Sequence, residues 1–537
     1  MTSVNRIKEF VRIPALAAFL LSPVSAFAIG VDVENDRITV SLATEPPNLD
    51  STMSEDTTSG FVLSLTNEGL VNIGRRGEVV PAVAEKWELG ANQAIFWLRD
   101  DARWADGTSI MAADFVYSWR RLVDPKTAAR GSTFFVYVLE NAEAILAGDL
   151  PTSSLGVEAL DDRVLKLTLS RPVPYLLTVL TGTAYLPLKQ KFVEAQEGRF
   201  GADAVNMLSN GPFKIDSWVH NSSIKFSRNP YYWDRENIKL QAVDIGYITS
   251  DLRSLLNLYK SNELATLSLN EEILSDASDS GFRIKKAASN CLAWLVMNMA
   301  PGRPTANLKV RQAMRLAFDR DRYVNNIVGL PGTRKIDSVF TRRVKGVGKS
   351  FQKEFPAPRI DFNPERARQL LEEAKKELGV EEIPSIILLA NETRQIEAEF
   401  IQAQLGGALG LDIKVDKQTF KQAIAKMNVG DFDIARAAYC GGALRDPVFF
   451  AGIFVSGSPF NDGNYHNPEY DELMALTHSS ADPVVRMNAF GQMQQMLFED
   501  VPMVPTHEYS TVYLEDDRVK NLMRYPVVDF SRGYIDP

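Results

Sequence analysis

Residue types that catalyse reactions or bind metal ions are scarce in this sequence. Its 537 residues include only two cysteines and four histidines, at Cys291, Cys440, His220, His466, His478 and His507. No two histidines are spaced to share a helix face as zinc ligands, and two distant cysteines do not form a structural zinc site. The sequence therefore predicts neither a bound metal nor a cofactor.

The motifs of common catalytic loops are missing as well. The sequence has no G-x-x-x-x-G-K-[ST] phosphate loop, no G-x-S-x-G nucleophile turn and no H-E-x-x-H pair. Acidic pairs such as Asp431 and Asp433 are frequent by chance, and residues 461–464 (NDGN) have the composition of a turn and not of a calcium loop. These absences favour a binding protein over an enzyme.

An apolar stretch near the N-terminus is too short to span a membrane. Residues 13–24 follow a basic region with Arg6, Lys8 and Arg12, and the stretch contains Pro14 and Pro23. It ends in the sequence SAFA at 25–28, an A-x-A cleavage signal. The pattern predicts a secretory signal peptide over residues 1–28, cleaved after Ala28.

The expected mature chain carries no sign of a membrane anchor. It would begin at Ile29 and not at a cysteine that accepts lipid, and no later stretch reaches the roughly 18 apolar residues of a spanning helix. Loss of residues 1–28 changes the formal charge from −9 to about −11, since that segment carries +2. An acidic chain without basic clusters argues against nucleic acid and anionic membranes as partners, so we expect a free, soluble protein.

Length and composition indicate a globular protein of several packed units. The chain is 45% hydrophobic and 24% charged, and it is longer than one hydrophobic core supports. Strand patterns occur at 37–43, 93–99 and 160–170, and a helix is predicted over 112–123.

The C-terminal half has the pattern of a β-α-β unit. Asn363 and Pro364 are an N-cap and a first-turn proline for a helix over 365–378, which Gly379 ends. An apolar strand at 386–390, a helix near 394–405 and a strand at 411–415 follow. This order predicts a parallel strand pair with a right-handed crossover.

Nine motifs in order along the chain resemble the peptide-binding branch of the extracellular solute-binding proteins. They are residues 44–50 (TEPPNLD), 80–87 (VPAVAEKW), 96–99 (FWLR), 104–107 (WADG), 113–125 (ADFVYSWRRLVDP), 210–213 (NGPF), 229–233 (NPYYW), 310–313 (VRQA) and 467–471 (NPEYD). Trp87, Trp97, Trp104 and Trp119 within and beside them are expected in the protein core and not on a ligand.

The resemblance implies an α/β fold with two lobes that close like a clamshell, of the type II periplasmic-binding-protein class with an extra small domain and mixed sheets flanked by helices. Lobe I would comprise 29–64, 190–289 and 510–537, the small domain 65–189, and lobe II 290–509. The chain would cross between the lobes near 289 and 509, and those crossings would form the hinge.

The resemblance also implies a function. The protein would be a monomeric periplasmic component of an ABC importer that captures a peptide and delivers it to permease and ATPase subunits. Alternatives are a cell-wall peptide, opine, sugar or metal-complex ligand on the same fold, a receptor that presents its ligand to a sensor, and an exported hydrolase. The missing nucleophile and metal motifs weigh against the hydrolase.

The oxidation state of the two cysteines is open to two interpretations. An even number in an exported chain favours a disulfide, and two buried thiols are the alternative. Members of the resembled family carry cysteines at the places of Cys291 and Cys440, so the resemblance implies a Cys291–Cys440 disulfide within lobe II.

The expected ligand segment departs from the family pattern. The family binds the peptide ammonium with an aspartate, where this chain has Gly442 or Ala443 according to the direction of counting, and Tyr439 replaces a tryptophan. Arg436 matches an arginine that reaches ligand carboxylates in some members, although a salt bridge at the surface or between strands is equally compatible with the sequence.

A pocket tyrosine of the family is absent near Gly131, and Arg130 and Arg445 are candidates to line the cleft instead. The other candidate cleft residues are Trp294, Tyr439, Asn298, Glu45 and Asn210. The missing aspartate predicts an unusual ligand: a blocked or modified peptide, a cell-wall peptide or a carboxylate-rich molecule.

Overall fold

The computed structural model describes residues 29–537 except 55, 130–137, 174, 442, 481 and 525–527. The predicted signal peptide and the candidates Gly442, Arg130 and Gly131 lie outside the described residues. The strands are β1 (Val31–Asp32), β2 (Arg37–Leu42), β3 (Val71–Ile73), β4 (Val79–Pro81), β5 (Ala84–Leu89), β6 (Gln93–Leu98), β7 (Val157–Ala159), β8 (Val164–Thr168), β9 (Phe213–Val219), β10 (Ser223–Arg228), β11 (Ala242–Ile248), β12 (Thr266–Leu269), β13 (Lys285–Met297), β14 (Arg334–Lys335), β15 (Ile386–Asn391), β16 (Ile413–Gln418), β17 (Ile434–Cys440), β18 (Met503–Glu515), β19 (Val519–Lys520) and β20 (Tyr534–Ile535).

The helices alternate with these strands through much of the chain. They are α1 (Thr57–Thr66), α2 (Ala112–Val123), α3 (Ala142–Leu146), α4 (Leu176–Val179), α5 (Gln190–Ala195), α6 (Leu252–Lys260), α7 (Glu271–Asp279), α8 (Leu308–Ala317), α9 (Arg320–Arg322), α10 (Phe351–Glu354), α11 (Pro364–Leu378), α12 (Gln395–Leu409), α13 (Phe420–Asn428), α14 (Val448–Gly452), α15 (Pro468–Ser479) and α16 (Pro483–Asp500). No helix among the described residues has both the length and the apolar character to cross a membrane.

The first lobe is built on the five-stranded sheet β1-β2-β11-β10-β9. β2 and β11 are parallel and their neighbours are antiparallel, so the sheet is mixed. Ile38 and Val40 of β2 are at most 2% exposed and pack in one cluster with Ile224 and Ile245 from the neighbouring strands.

The small domain packs α2 against the antiparallel sheet β5-β6-β8-β7. Phe115, Trp119 and Leu122 recur at helical spacing on α2 and are fully buried. The Trp119 indole donates to the Tyr185 carbonyl at 3.0 Å, and Trp104 is also buried. The expectation that Trp104 and Trp119 belong to the core is confirmed.

The largest sheet has the order β12-β18-β13-β17-β15-β16, with β14 paired to β18. The second lobe is built on its strands β13, β17, β15 and β16 and on the first half of β18. β15 pairs in parallel with β16, as the β-α-β pattern predicts, and it also pairs in parallel with β17. The predicted caps of α11 are confirmed. The Asn363 side chain accepts from Arg366 N at 3.0 Å, and Gly379 adopts the left-handed conformation that ends the helix.

β13 and β18 are each 13 residues long, and together they extend from the second lobe to the first. Their pairing is interrupted between Ala288 and Leu292, where three residues of β13 oppose one of β18, Tyr509. The crossings expected near 289 and 509 fall at this interruption. The domain boundaries at those positions stay a prediction.

A disulfide joins Cys291 to Cys440, as expected from the resemblance. The two residues are opposite each other in the β13–β17 pair, with Cα atoms 4.0 Å apart. The bond therefore attaches the end of β17 to the interruption in β13.

The disulfide generates a test of stability. Because it closes a loop across a sequence separation of 149 residues, the Cys291→Ala/Cys440→Ala variant should lose on the order of 5 kcal/mol of unfolding free energy in the chain-entropy model. Urea unfolding measures that loss. Thiol titration of the denatured protein should find no thiol before reduction and two afterwards, and two reactive thiols before reduction would show that the bond does not form.

Candidate functional site

The carboxyl ends of β15, β16 and β17 meet at one edge of the second lobe's sheet, because these strands are parallel. Ligands of open α/β sheets bind in the crevice outside such ends. β17 ends at Cys440, beside the interrupted pairing of β13 with β18. The chain that follows β17, of which the structure describes residues 441 and 443–446, is the ligand segment.

Asn290 holds the ligand segment at this edge. Its carbonyl accepts from Gly441 N at 3.0 Å, and its side-chain amide donates to the Leu444 carbonyl at 3.0 Å. Thr341 donates to the Asn290 side-chain oxygen at 2.5 Å, and Asn290 is 4% exposed. A Cβ at Gly441 would lie 2.9 Å from the Asn290 amide nitrogen, so a larger residue there would displace Asn290.

The candidate positions in the ligand segment carry little charge to meet an ammonium. Ala443 is half-buried and has no ionisable group. Arg445 is also half-buried, and its side chain forms no ion pair among the residues that the structure describes, while its carbonyl accepts from Lys345 N at 2.8 Å. At positions 443 and 445 the charge is therefore positive, while the carboxylate of Asp446 in the same segment is bound by Arg486.

Arg436 lies in β17 and is buried against α12. Its guanidinium forms an ion pair with Glu397, with Nε 2.8 Å from the carboxylate, and it also donates to the Tyr509 hydroxyl. Arg394 donates to the other oxygen of Glu397 at 2.9 Å, and Tyr323 donates to Glu397 as well. The alternative of a salt bridge at the surface or between strands was wrong in kind, since the ion pair of Arg436 is buried and joins a strand to a helix.

In this group two arginines, Arg436 and Arg394, bind the carboxylate of Glu397. Burial opposes ionisation of Glu397, but Arg436 and Arg394 outweigh it and lower the pKa of Glu397 to about 2. Burial, followed by the charge of Arg436, lowers the pKa of His507 to about 3 and keeps that ring neutral. Tyr509, whose hydroxyl Arg436 contacts, is opposite the interruption in β13.

Glu397 was not among the residues predicted from sequence. It lies on the buried face of α12 with Ile401 and Leu405, at spacings of four residues. A glutamate within such an apolar stripe indicates a buried partner. That signal could have found Glu397, although it does not identify Arg436 as the partner.

Trp294 and Tyr439 are stacked within the second lobe, with ring centroids 4.7 Å apart. Trp294 is 1% exposed, and the Tyr439 hydroxyl donates to Asp462 at 2.5 Å. The structure therefore brings these two candidates together under the ligand segment, with Trp294 in the core.

Asn298 follows the end of β13 that is remote from the interruption. Its amide donates to the carbonyls of Gly430 and Phe432 at 3.0 and 2.8 Å, and its side-chain oxygen accepts from Ala300 N at 3.0 Å. The structure does not bring Asn298 to the ligand edge, because β13 runs away from that edge. Its hydrogen bonds fix a turn.

Glu45 and Asn210 lie in the first lobe and bind protein groups there. Glu45 accepts from the Trp218 indole at 2.9 Å and contacts His220 Nδ1 at 2.7 Å, and hydrogen bonds from His220 to Asp203 and Glu45 raise the pKa of His220. Asn210 is 1% exposed and donates to the carbonyl of Glu68 at 2.8 Å. Neither side chain contacts the ligand segment.

Comparison with known proteins places this geometry in a family. Residues 78–462 match the model for bacterial extracellular solute-binding proteins, family 5. The dipeptide-binding protein DppE of Bacillus subtilis is 30% identical over 501 residues, covering 92% of this chain and 89% of DppE. The periplasmic oligopeptide-binding protein OppA of Salmonella typhimurium is 30% identical over 455 residues, covering 82% of this chain and 81% of OppA.

Solved structures match over almost the whole chain. Listeria monocytogenes OppA bound to peptide gives a TM-score of 0.88 at 26% identity, covering 94% of this chain and 99% of that one. The Escherichia coli murein tripeptide binding protein MppA gives 0.84 at 27% identity, covering 93% and 98%. The unliganded open form of MppA gives only 0.61, although the match covers 95% of this chain and 98% of that one at 26% identity.

The lobes of this protein are therefore arranged as in the peptide-bound relative and not as in the open form. The fold is the two-lobed clamshell with mixed sheets and flanking helices that the motifs predicted. The chain belongs to the bacterial extracellular solute-binding proteins of family 5.

Proposed function

We propose that this protein is the periplasmic substrate-binding component of an ABC importer. It captures a peptide or peptide-like ligand between its lobes, without chemical turnover, and delivers it to permease and ATPase subunits as a monomer. The main observation in support of this proposal is the arrangement of the lobes, which matches a relative bound to peptide and differs from an open, unliganded one. The A-x-A signal before Ile29 supports export to the periplasm.

Closure of the lobes accounts for capture in this proposal. Lobe I comprises 29–64, 190–289 and 510–537, the small domain 65–189, and lobe II 290–509. The hinge is the interruption of β13–β18 pairing, because few backbone hydrogen bonds need to break there when the lobes rotate. The disulfide and Asn290 keep the ligand segment attached to that hinge.

The preferred ligand lacks a free ammonium at the ligand segment or carries additional carboxylates. Ala443 provides no carboxylate for an ammonium, and Arg445 brings a positive charge without an ion-pair partner among the described residues. Arg394 and Arg436 share the single carboxylate of Glu397. Blocked, modified and cell-wall peptides fit these charges better than ordinary peptides with free amines.

Calorimetry with tetra-alanine and its N-acetylated form tests the function and the ligand class. The acetylated peptide should bind at least as tightly as the free amine. Ala443→Asp should improve binding of the free amine by roughly 10-fold or more, the value of one charge-assisted hydrogen bond.

Ala443→Asn is the matched control, because it has a similar shape without the charge. Mass spectrometry of the denatured, purified protein should release a peptide-like compound that lacks a free α-amine or is rich in carboxylates. Micromolar binding of tetra-alanine together with no binding of the acetylated form would contradict the proposed ligand class. Turnover of an amide or ester by purified protein would contradict a pure binding role.

Glu397→Gln tests the ion pairs that Glu397 forms with Arg394 and Arg436. The variant leaves two arginines without their carboxylate and should lose about 3–5 kcal/mol of unfolding free energy, as expected when one partner of a buried ion pair is removed. Glu399→Gln is the control, since Glu399 is exposed on the same helix.

The pKa of Glu397 determines how the unfolding free energy changes with pH. Folding lowers the pKa of Glu397 from 4.5 to about 2, so the stability gained from its charge is complete above about pH 4.5 and is lost as pH falls toward 2. Urea unfolding between pH 7 and pH 3 should show a smaller loss on acidification for Glu397→Gln than for the wild type. Equal losses would show that Glu397 is not held ionised by the arginines.

A further inference from the structure

The small domain contacts the second lobe through residues that follow β8. A terminal nitrogen of Arg171 lies 2.6 Å from His478 Nδ1 on α15, although the two residues are 307 positions apart. Tyr175 packs against the buried cluster of the small domain and also against that of the second lobe. These residues therefore span the boundary between the two halves of the clamshell.

On the second lobe, Arg486 of α16 contacts Tyr175 of the small domain. Its guanidinium lies 5.4 Å from the centroid of the Tyr175 ring, and it donates to the Thr477 carbonyl at 3.0 Å. Both of its terminal nitrogens bind Asp446, each at 2.9 Å. Asp446 belongs to the ligand segment, so one bidentate ion pair connects the interlobe contact to the proposed binding site.

We propose that Arg171, Tyr175, His478, Arg486 and Asp446 form a clasp that holds the lobes closed over the ligand and that acidification opens. The clasp rests on the proposed function, because it acts on the closed, ligand-holding state. Arg171 and Tyr175 are positioning residues that act through Arg486 and Asp446 on the ligand segment.

The chemistry of the Arg171–His478 contact makes the clasp sensitive to pH. Arginine has only donor groups and stays charged, so His478 Nδ1 must accept and the ring must be neutral. His478 is 5% exposed and faces Arg171 from the small domain and Arg486 from α16. Tyr175 lies near Arg171, Asp446 and Arg486 at the same boundary. The carboxylate of Asp446 is already bound on both oxygens by Arg486. A protonated His478 would thus lie between two arginines.

The sign of the effect follows from proton binding. Burial, then the charges of Arg171 and Arg486, lower the pKa of His478 from 6.5 to about 2 in the closed state. Opening exposes the ring and restores its ordinary value. The clasp therefore contributes fully above about pH 6.5 and weakens as pH falls below that value, because the open state takes up a proton that the closed state excludes.

Small-angle scattering of the protein as purified measures closure without a known ligand. Between pH 7.5 and 5.0 the equilibrium constant for closure should fall roughly 30-fold for the wild type, the factor for uptake of one proton by a group of pKa 6.5. The radius of gyration should then increase. His478→Gln keeps an acceptor that does not titrate in this range, so it should stay compact at both pH values.

His466→Gln is the matched control, since His466 is exposed in the same lobe and contacts Ser456. It should expand at pH 5.0 as the wild type does. Arg171→Met removes the donor and keeps the stem, so it should be expanded already at pH 7.5, and circular dichroism should show that it remains folded.

The clasp is refuted if the wild type stays compact at pH 5.0, if His478→Gln expands equally, or if the wild type is already expanded at pH 7.5. Tetra-alanine and its acetylated form separate this result from the proposed function. If neither peptide binds but the radius of gyration changes with pH as expected, the proposed ligand class is wrong and the clasp is supported. If a peptide binds with the same affinity at both pH values, the clasp is refuted and the proposed function is supported.

Discussion

The antiparallel pairing of β13 with β18 is the constraint on which the other features depend, because these two long strands pass between the lobes. A slip of one residue would turn Trp294 out of the core, so burial fixes the register in the second lobe. The pairing is interrupted between Ala288 and Leu292, and the disulfide is attached at this interruption. The proposed hinge and the place where the ligand segment is held are therefore the same.

The buried charges around Arg436 cannot be explained as a source of stability. Removing guanidinium and carboxylate groups from water costs about as much free energy as their attraction returns, and an apolar core of equal volume is often as stable. The arrangement does fix where charge lies. Glu397 holds Arg436 and Arg394 in defined positions, beside Tyr509 at the strand interruption.

Local signals predicted much of the fold, because caps, prolines and apolar periods act over a few residues. Asn363, Gly379 and the β-α-β unit were found where the sequence placed them. The disulfide came only from the resemblance. The site was less predictable, since Glu397 is 39 positions from Arg436 and Arg171 is 307 positions from His478. Asn298 was expected in the cleft, but the direction of β13 carries it to the other end of the lobe.

Between Gly441 and Arg445 the ligand segment is held through its backbone atoms. Asn290 binds the amide of Gly441 and the carbonyl of Leu444, and Lys345 N binds the carbonyl of Arg445. None of these bonds depends on the side chains at 443 and 445. Substitutions at those two positions can change the charge offered to a ligand while the loop keeps its shape. A scaffold of this kind can change which ligands it binds through single mutations, and its folding is not altered by them.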